Sequence, residues 1–366
     1  MPQRCLRFNS HSPYRRLIGV GGISAGIFFA LEGNHTLGRN ESRPARLLDI
    51  RDYCKLHIIA HYVAVLLGAD PSGSPFHLVP IGKVGDDEPG HRMLKEMSGV
   101  GMDIGRVEIV RNRPTLFSVC FQYPSGEGGN LTTTQSAASE LTAENVAPAS
   151  PLFAVEGNRS MVLAAPEVSL EARYHLLELA TASRAFRAAA LTSSEMVTAL
   201  RQGFFSLVDL LSINEDEAGA LTGRVFDPAD PYPFLTACSD VLIACQPSMR
   251  IVVSAGKHGA FAFAKGLWDH CPAAPASVVG TAGAGDALLG AILSGLAVGM
   301  PLICPGSPRK SINERPLGSA LDFAVLLASF TITSPHTIHP HANLETLLQF
   351  AGELGVSFSG ALSRHF

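Results

Sequence analysis

The stretch VVGTAGAGDALLGAILSGL, Val278 to Leu296, carries the strongest chemical signal in the chain. An apolar pair runs into four small residues, Ala282, Gly283, Ala284 and Gly285, and then into Asp286 and an apolar run of helical character. With almost no side chains in the way, the backbone N–H groups of 282–285 can approach an anion closely. A helix starting there points its positive end at the same place. Such a cradle suits the charge on a phosphoryl group in transfer. Asp286, at the helix start, is placed to take the proton of an attacking hydroxyl. Taken alone, the same residues could be a small-residue turn that packs a helix on a sheet, with Asp286 as its cap.

Three further stretches flank this one in a fixed order. They are IGKVGDDEPGHRMLKEMSGVGMDI (Ile81–Ile104), LLSINEDEAGALTG (Leu210–Gly223) and IVVSAGKHGAFAF (Ile251–Phe263). Around them, short apolar runs alternate with helix-period segments. Strands are expected at 16–21, 26–32, 46–53, 76–82, 115–122, 160–165, 207–213, 251–255 and 260–264. Helices are expected at 55–67, 89–98, 170–182, 215–221, 286–298 and 317–331. That rhythm implies a mainly parallel sheet covered on both faces. The segment 301–316, PLICPGSPRKSINERP, reads as a Pro-rich surface loop, longer than most helix connections.

Composition narrows the class of partner. The 366 residues are 46% apolar and 16% charged, with a net charge of -4. A chain of this kind can bury a large core, and it shows no basic footprint for nucleic acid or an anionic membrane. No run approaches the ~18 apolar residues of a membrane span. Seven cysteines stand without any C-x-x-C pair, which suits reduced thiols in a cytoplasmic protein. A small-molecule substrate is the default.

With the motifs in that order, the chain resembles the ribokinase-like (PfkB) family of carbohydrate and nucleoside kinases, from about Leu17 to about His339. The GAGD segment is the most specific part, and Asn214 with Glu217 the next. The resemblance implies a Rossmann-like three-layer α/β/α sandwich with a small β-sheet lid. It implies ATP and Mg²⁺ as cofactors, a hydroxymethyl group as acceptor, and a homodimer formed through the lid. Residue by residue, it implies Asp286 as catalytic base and Ala282, Gly283, Ala284 and Gly285 as anion hole. Asn214, Glu217, Ser254, Gly256 and Gly259 fall on the ATP side, with Glu217 reaching the metal through water. The expected organisation is a disordered tail at 1–15, a kinase domain at 16–345 and a C-terminal helix or tail at 346–366. The lid falls at about 26–53 and 115–135.

The acceptor side departs from the family pattern. Gly280 stands where a polar residue is usual. GGISAGIFFALEG (Gly21–Gly33) lacks the acid that in many relatives grips two sugar hydroxyls, and KLHIIAHYVAVLLG (Lys55–Gly68) lacks the usual Gly-Gly and Asn. Polar residues cluster instead in the lid, among them Asn34, His35, Arg39, Asn40, Glu41, Arg43 and Asp49. With His61, the residues Asn34, Arg39 and Arg43 are the candidate substrate contacts. The arginines would suit a phosphorylated or carboxylated acceptor; the alternative is a solvated loop. Three functions stay open: a sugar kinase, a nucleoside kinase with Phe28, Phe29 and Tyr62 as possible base walls, and a catalytically silent nucleotide-binding relative. His57 and His61 have a spacing a metal could use, though two helix histidines facing a cleft or core explain them; His336, His339 and His341 could bind a metal too, with a Pro-punctuated loop as the alternative.

Overall fold

The runs that read as strands without polar interruption, such as SMVLA at Ser160–Ala164, are buried along their whole length. Strands of that kind belong inside a sheet covered on both faces. In the computed structural model, which describes residues 4–125, 128–154 and 157–366, they form one.

Along the chain, β1 (Arg16–Val20) is followed by the hairpin of β2 (Ser24–Leu31) and β3 (Ala45–Asp52), and then by α1 (Lys55–Leu67). Next come β4 (His77–Gly85), α2 (Glu88–Gly99) and β5 (Val107–Val110), and a second hairpin of β6 (Leu116–Gln122) and β7 (Gly128–Thr132). Short helices α3 (Ala143–Val146) and α4 (Pro151–Ala154) lead to β8 (Ser160–Ala164), α5 (Leu170–Ala182), β9 (Phe186–Ala190) and α6 (Met196–Arg201). Then follow β10 (Leu210–Asn214), α7 (Glu215–Thr222), α8 (Tyr232–Cys245), β11 (Arg250–Ser254), β12 (Ala260–Ala264) and β13 (Leu267–Cys271). Helices α9 (Ala284–Val298), α10 (Ala320–Thr331), α11 (Leu344–Glu353) and α12 (Gly360–Ser363) complete the order.

The large sheet has nine strands in the order β13-β12-β11-β10-β9-β8-β1-β4-β5. It is parallel from β5 to β11, and β12 and β13 are antiparallel additions. One apolar cluster fills the side that carries α1, α9 and α10, and another the side that carries α5, α7 and α8. The small residues of α9 have a packing purpose. A side chain at Gly290 would start 2.9 Å from Tyr62 Cβ, so glycine lets α9 and α1 approach closely.

The second sheet has the order β3-β2-β6-β7 and falls within 24–52 and 116–132. Alternation along its strands separates two faces. Gly26, Phe28, Leu48, Asp52, Ser118 and Cys120 share one. Ile27, Phe29, Leu47, Val119, Phe121 and Leu131 share the other.

The ends of the chain correct the expected organisation. Residues 4–15 are packed rather than disordered: Leu6 is buried, Leu6 N donates to Leu66 O, and Phe8 stacks on Phe76. Apolar residues at alternate positions let this segment cover the end of α1. The far end joins it, with Arg7 N donating to His365 O and Phe366 buried against Phe323 and Phe358. The 344–366 segment therefore belongs to the same body as the sheet. The loop at 301–316 is exposed over much of its length, but Arg309 turns inward and pairs with the buried Asp322 of α10.

Candidate active site

In an open parallel sheet, ligands meet the carboxyl ends of the strands. Here those ends deliver Gly21 and Gly22 after β1, Glu167 after β8, Asn214 at the end of β10 and Ser254 at the end of β11. The start of α9 faces them: a Cβ built at Gly285 would have Ser254 Oγ as its nearest neighbour, at 3.9 Å.

The turn into α9 is shaped by one glycine. Gly283 has φ of 81°, a left-handed conformation that side chains resist, and a Cβ there would lie 2.1 Å from Thr337 O. Upstream, Val279 N donates to Ile332 O, so the strap 279–283 lies against 332–337. Ala282, Gly283, Ala284 and Gly285 thus arrive at the first turn of a 15-residue helix, whose leading N–H groups have no acceptor within the helix.

Asp286 is 8% exposed. Burial raises its proton affinity, the nearby Lys55 lowers it, and the charge of Asp52 raises it again; the net shift is upward. Lys55, the first residue of α1, places Nζ 3.4 Å from Asp286 Oδ1. Asp286 holds that ammonium protonated against the cost of its burial, with Glu217 and Glu167 adding to the effect. Glu167 adopts φ of 72°, and its Oε2 accepts from Lys55 N at 3.2 Å. Burial pushes Glu167 up to about 7, although Lys55 opposes the shift. The double glycine after β1 makes room for this group, because a Cβ at Gly22 would lie 2.6 Å from Glu167 Cβ.

Asn214 and Glu217 form a reciprocal capping box at the start of α7. Glu217 N donates to Asn214 Oδ1 at 2.7 Å, and Asn214 N donates to Glu217 Oε2 at 2.8 Å. The box fixes both side chains at the end of β10. Glu217 is buried enough that its proton affinity rises even with Lys55 opposing. Gly256 and Gly259 both have positive φ in the turn between β11 and β12. A Cβ at Gly259 would strike Cys271 O at 2.0 Å.

The candidate substrate contacts separate. Arg43 is used within its own loop: it pairs with Glu41 and donates to His35 O and Thr36 O. Asn34 Oδ1 accepts from Ser125 N, tying the same loop to the second hairpin. Arg39 is exposed beside Asn40, whose φ is 61°. His61 lines a cavity of about 490 Å³ with His57, Tyr53, Arg51, Glu96 and His336. A second cavity of about 490 Å³, between β3 and α2, is lined by Gly26, Leu48, Asp52, Tyr53, Arg92 and Glu96. Asp286 lines neither. Burial holds His57 down to about 3 and His61 to about 4, so both imidazoles are neutral. Among the described residues no set of three His, Cys, Asp or Glu side chains is arranged to hold a metal. Tyr62 is a core residue bonded to Thr331, and Phe29 lies on the lid face opposite Phe28, so of the three possible base walls only Phe28 shares a face with Asp52.

Lys55, Glu167 and Asp52 join the site without having been singled out from the sequence. Glu167 had one available signal, its place just past an apolar strand. The other two are recognisable only once α1 and β3 are set against α9.

The model of the pfkB family of carbohydrate kinases matches residues 64–343. The chain belongs to this family. The match begins inside α1, so β2, β3 and Lys55 lie outside it. The deoxyribokinase of Salmonella typhi is 25% identical over 184 residues, which cover 50% of this chain and 53% of that protein. The chain therefore spans about half the length of this curated relative. Among solved structures, the ribokinase of Cryptococcus neoformans var. grubii serotype A in complex with ADP aligns with a TM-score of 0.69 and 18% identity, covering 91% of this chain and 99% of that one. The Burkholderia thailandensis nucleoside kinase in complex with inosine aligns with a TM-score of 0.69 and 14% identity, covering 94% and 100%. At these identities the structural likeness speaks to the fold.

Proposed function

We propose that this pfkB-family protein transfers the γ-phosphate of ATP to a hydroxyl of a small sugar or sugar-like molecule. The observation that carries the reading is the convergence at α9: a buried carboxylate, Asp286, directly after a glycine-shaped turn into the N-terminal end of the helix, with the Lys55 ammonium beside it. The acceptor hydroxyl approaches Asp286, which takes its proton as the new O–P bond forms. The bond from the γ-phosphorus to the departing ADP oxygen breaks, and the 282–285 amides stabilise the charge on the moving group. Lys55 opposes the protonation that burial favours at Asp286 and brings positive charge to the same place.

The residues fit a magnesium-bound ATP. Open space above Gly285 faces Ser254, and the buried Glu217 carries a charge that a cation would offset. Asn214 and Glu217 would hold the ion, with Glu217 acting through water, as a hard cation that keeps its waters prefers. Bound Mg²⁺ would neutralise phosphate charge.

The test is ATP consumption by purified protein with Mg²⁺ against sugars, sugar acids, sugar phosphates and nucleosides, with Asp286→Asn as control. Turnover that falls by at least about 10³-fold in the variant, with ATP affinity kept, supports the reading. Tight nucleotide binding without turnover on any acceptor would refute it in favour of a silent relative. Nucleosides belong in the panel because Phe28 and Leu48 supply apolar surface on the Asp52 face, and because a structural neighbour holds inosine.

The small sheet is proposed as the lid and as a homodimer contact. Its other face exposes Leu47 at 60% and Leu131 at 65%. Leu47→Lys with Leu131→Lys should convert a dimer to a monomer in light scattering; a wild-type monomer would reject the contact. A cytoplasmic location is proposed on the seven free cysteines.

A further inference from the structure

β3 is the outer strand of the small sheet, so one row of its backbone groups has no strand beside it. At Arg51 that row meets the segment after α10. Arg51 N donates to His336 Nδ1 at 3.0 Å, and Arg51 O accepts from both Thr337 N and Thr337 Oγ1, each at 3.2 Å. Three hydrogen bonds thus join one residue of the small sheet to two consecutive residues that lie 285 and 286 positions further along the chain.

Thr337 is buried, and its backbone presses on the turn into α9. A Cβ built at Gly283 would lie 2.1 Å from Thr337 O, 2.9 Å from its carbonyl carbon and 3.0 Å from its Cα, so the two backbones are in direct contact. The residues on either side hold the same alignment. Val279 N and Gly280 N both donate to Ile332 O, and a Cβ at Gly280 would lie 3.1 Å from Ser334 O. A close-packed interior passes displacement on, because it has no void to absorb it. Movement of Arg51 therefore moves Thr337, and with it Gly283 and the amides of 282–285.

We propose that Thr337 is a positioning residue that couples the small sheet to the turn into α9, so that the amides of 282–285 take their working shape only when the small sheet is drawn over a bound acceptor. The inference rests on the kinase reading and on the lid proposed above. Binding of the acceptor displaces β3, the joint at Arg51 carries the displacement to Thr337, and Gly283 follows. Two ligands that favour one arrangement of a shared element bind with positive cooperativity, by the same factor in each direction. The joint also leaves the cradle slack while the acceptor is absent, which limits transfer of the phosphoryl group to water.

The experiment measures binding of the non-hydrolysable ATP analogue AMP-PNP with Mg²⁺ by calorimetry, with and without the acceptor of the panel above that wild type turns over fastest. Wild type is compared with three variants. Thr337→Val keeps the shape and loses the hydroxyl, and Thr337→Ser keeps the hydroxyl. His336→Leu combined with Thr337→Val leaves Arg51 only the bond from the backbone N–H of residue 337. In wild type the acceptor should tighten AMP-PNP by at least about fivefold. The factor should fall at least about twofold in Thr337→Val, and to below about twofold in the double variant, while the affinity without acceptor stays within about twofold. The double variant should also lose about tenfold in kcat, because a turn about 1 Å out of place stabilises the transfer poorly. Thr337→Ser should keep the wild-type factor. Thr337→Val alone decides the matter if the double variant does not fold. A wild-type factor near one, or the full factor retained without the hydroxyl, would overturn the coupling and leave the kinase reading intact, since turnover is measured beside binding. No turnover of any acceptor by wild type would remove the kinase reading and this inference together.

Discussion

Lys55 Nζ stands 3.4 Å from Asp286 Oδ1, joining the first residue of α1 to the first turn of α9. The pair sits between two opposing demands. Burial favours a protonated Asp286, and the proposed phosphoryl transfer needs it ionised. Lys55 offsets part of that burial, so its charge bears directly on whether the base is available.

The first prediction follows from that sign. Lys55→Met removes the positive charge that lowers the proton affinity of Asp286. The acid limb of the kcat/KM profile should therefore move to higher pH, and kcat should fall by roughly 10²–10³-fold. Lys55→Arg keeps the charge and should leave the limb near its wild-type position. The pH–rate profiles of both variants decide the matter; a limb unmoved in Lys55→Met would show that Asp286 does not depend on this neighbour.

Glu217 has two tasks that can be separated. Its Oε2 closes the capping box of α7, and its charge is proposed to serve the metal. Glu217→Gln keeps an oxygen for the cap and loses the charge. It should raise the Mg²⁺ concentration for half-maximal rate by about tenfold, with little change in thermal midpoint. Glu217→Ala should show the same Mg²⁺ defect and cost about 1 kcal/mol of stability besides. A Mg²⁺ titration beside a urea melt tests both; an unchanged Mg²⁺ requirement in Glu217→Gln would leave the residue with capping alone.

Much of this was legible in the residues and some was not, for physical reasons. The helix at Lys55–Leu67 and the strand at Ala260–Ala264 lie at their expected positions, because apolar composition and flanking glycines bound them tightly. The strand FRAAA (Phe186–Ala190) and the helix YPFLTACSDVLIAC (Tyr232–Cys245) were missed. Alanine does not favour a strand, and the helix carries Pro, Thr and Ser within an apolar run. At the site, the GAGD turn announces itself because a tight turn into a helix is a local property. Lys55, Glu167 and Asp52 do not, since each matters only through a partner more than 60 positions away or through the packing of a second sheet. Arg43 illustrates the converse. As a residue type it suggested anion binding, and only the geometry of the loop shows that Glu41 and two carbonyls take its donors.

Gly283 supplies a third prediction, in which stability and catalysis fall together. Its φ of 81° and the 2.1 Å approach of Thr337 O leave no space for a methyl group. Gly283→Ala should cost about 1–3 kcal/mol from backbone strain alone. Displacement of the strap 279–283 should also lower kcat by at least tenfold, because a shift of about 1 Å in a positioning element costs that and more. Gly299, also at positive φ, ends α9 and has only Pro13 and His11 atoms near, at 3.6 and 4.0 Å. Gly299→Ala should therefore lose stability without the added loss of turnover. Equal kcat values for the two variants would contradict the role given to the strap.

The last prediction concerns the loop at 301–316, which read as surface and carries a buried cation. Arg309 and Asp322 pair with side chains 2% and 1% exposed, and Asp322 Oδ2 also accepts from Gly318 N at 2.9 Å. The pair ties the loop to the start of α10, whose N-cap Ser319 accepts from Asp322 N. Removing one partner strands the other charge in the interior, and that cost exceeds the worth of the intact pair. Arg309→Met should destabilise the protein by about 3–5 kcal/mol, read as a lowered urea midpoint. The double variant Arg309→Met with Asp322→Asn should recover part of the loss, because the uncompensated carboxylate is gone. If the double variant is no more stable than Arg309→Met, packing of the arginine stem rather than its charge anchors the loop.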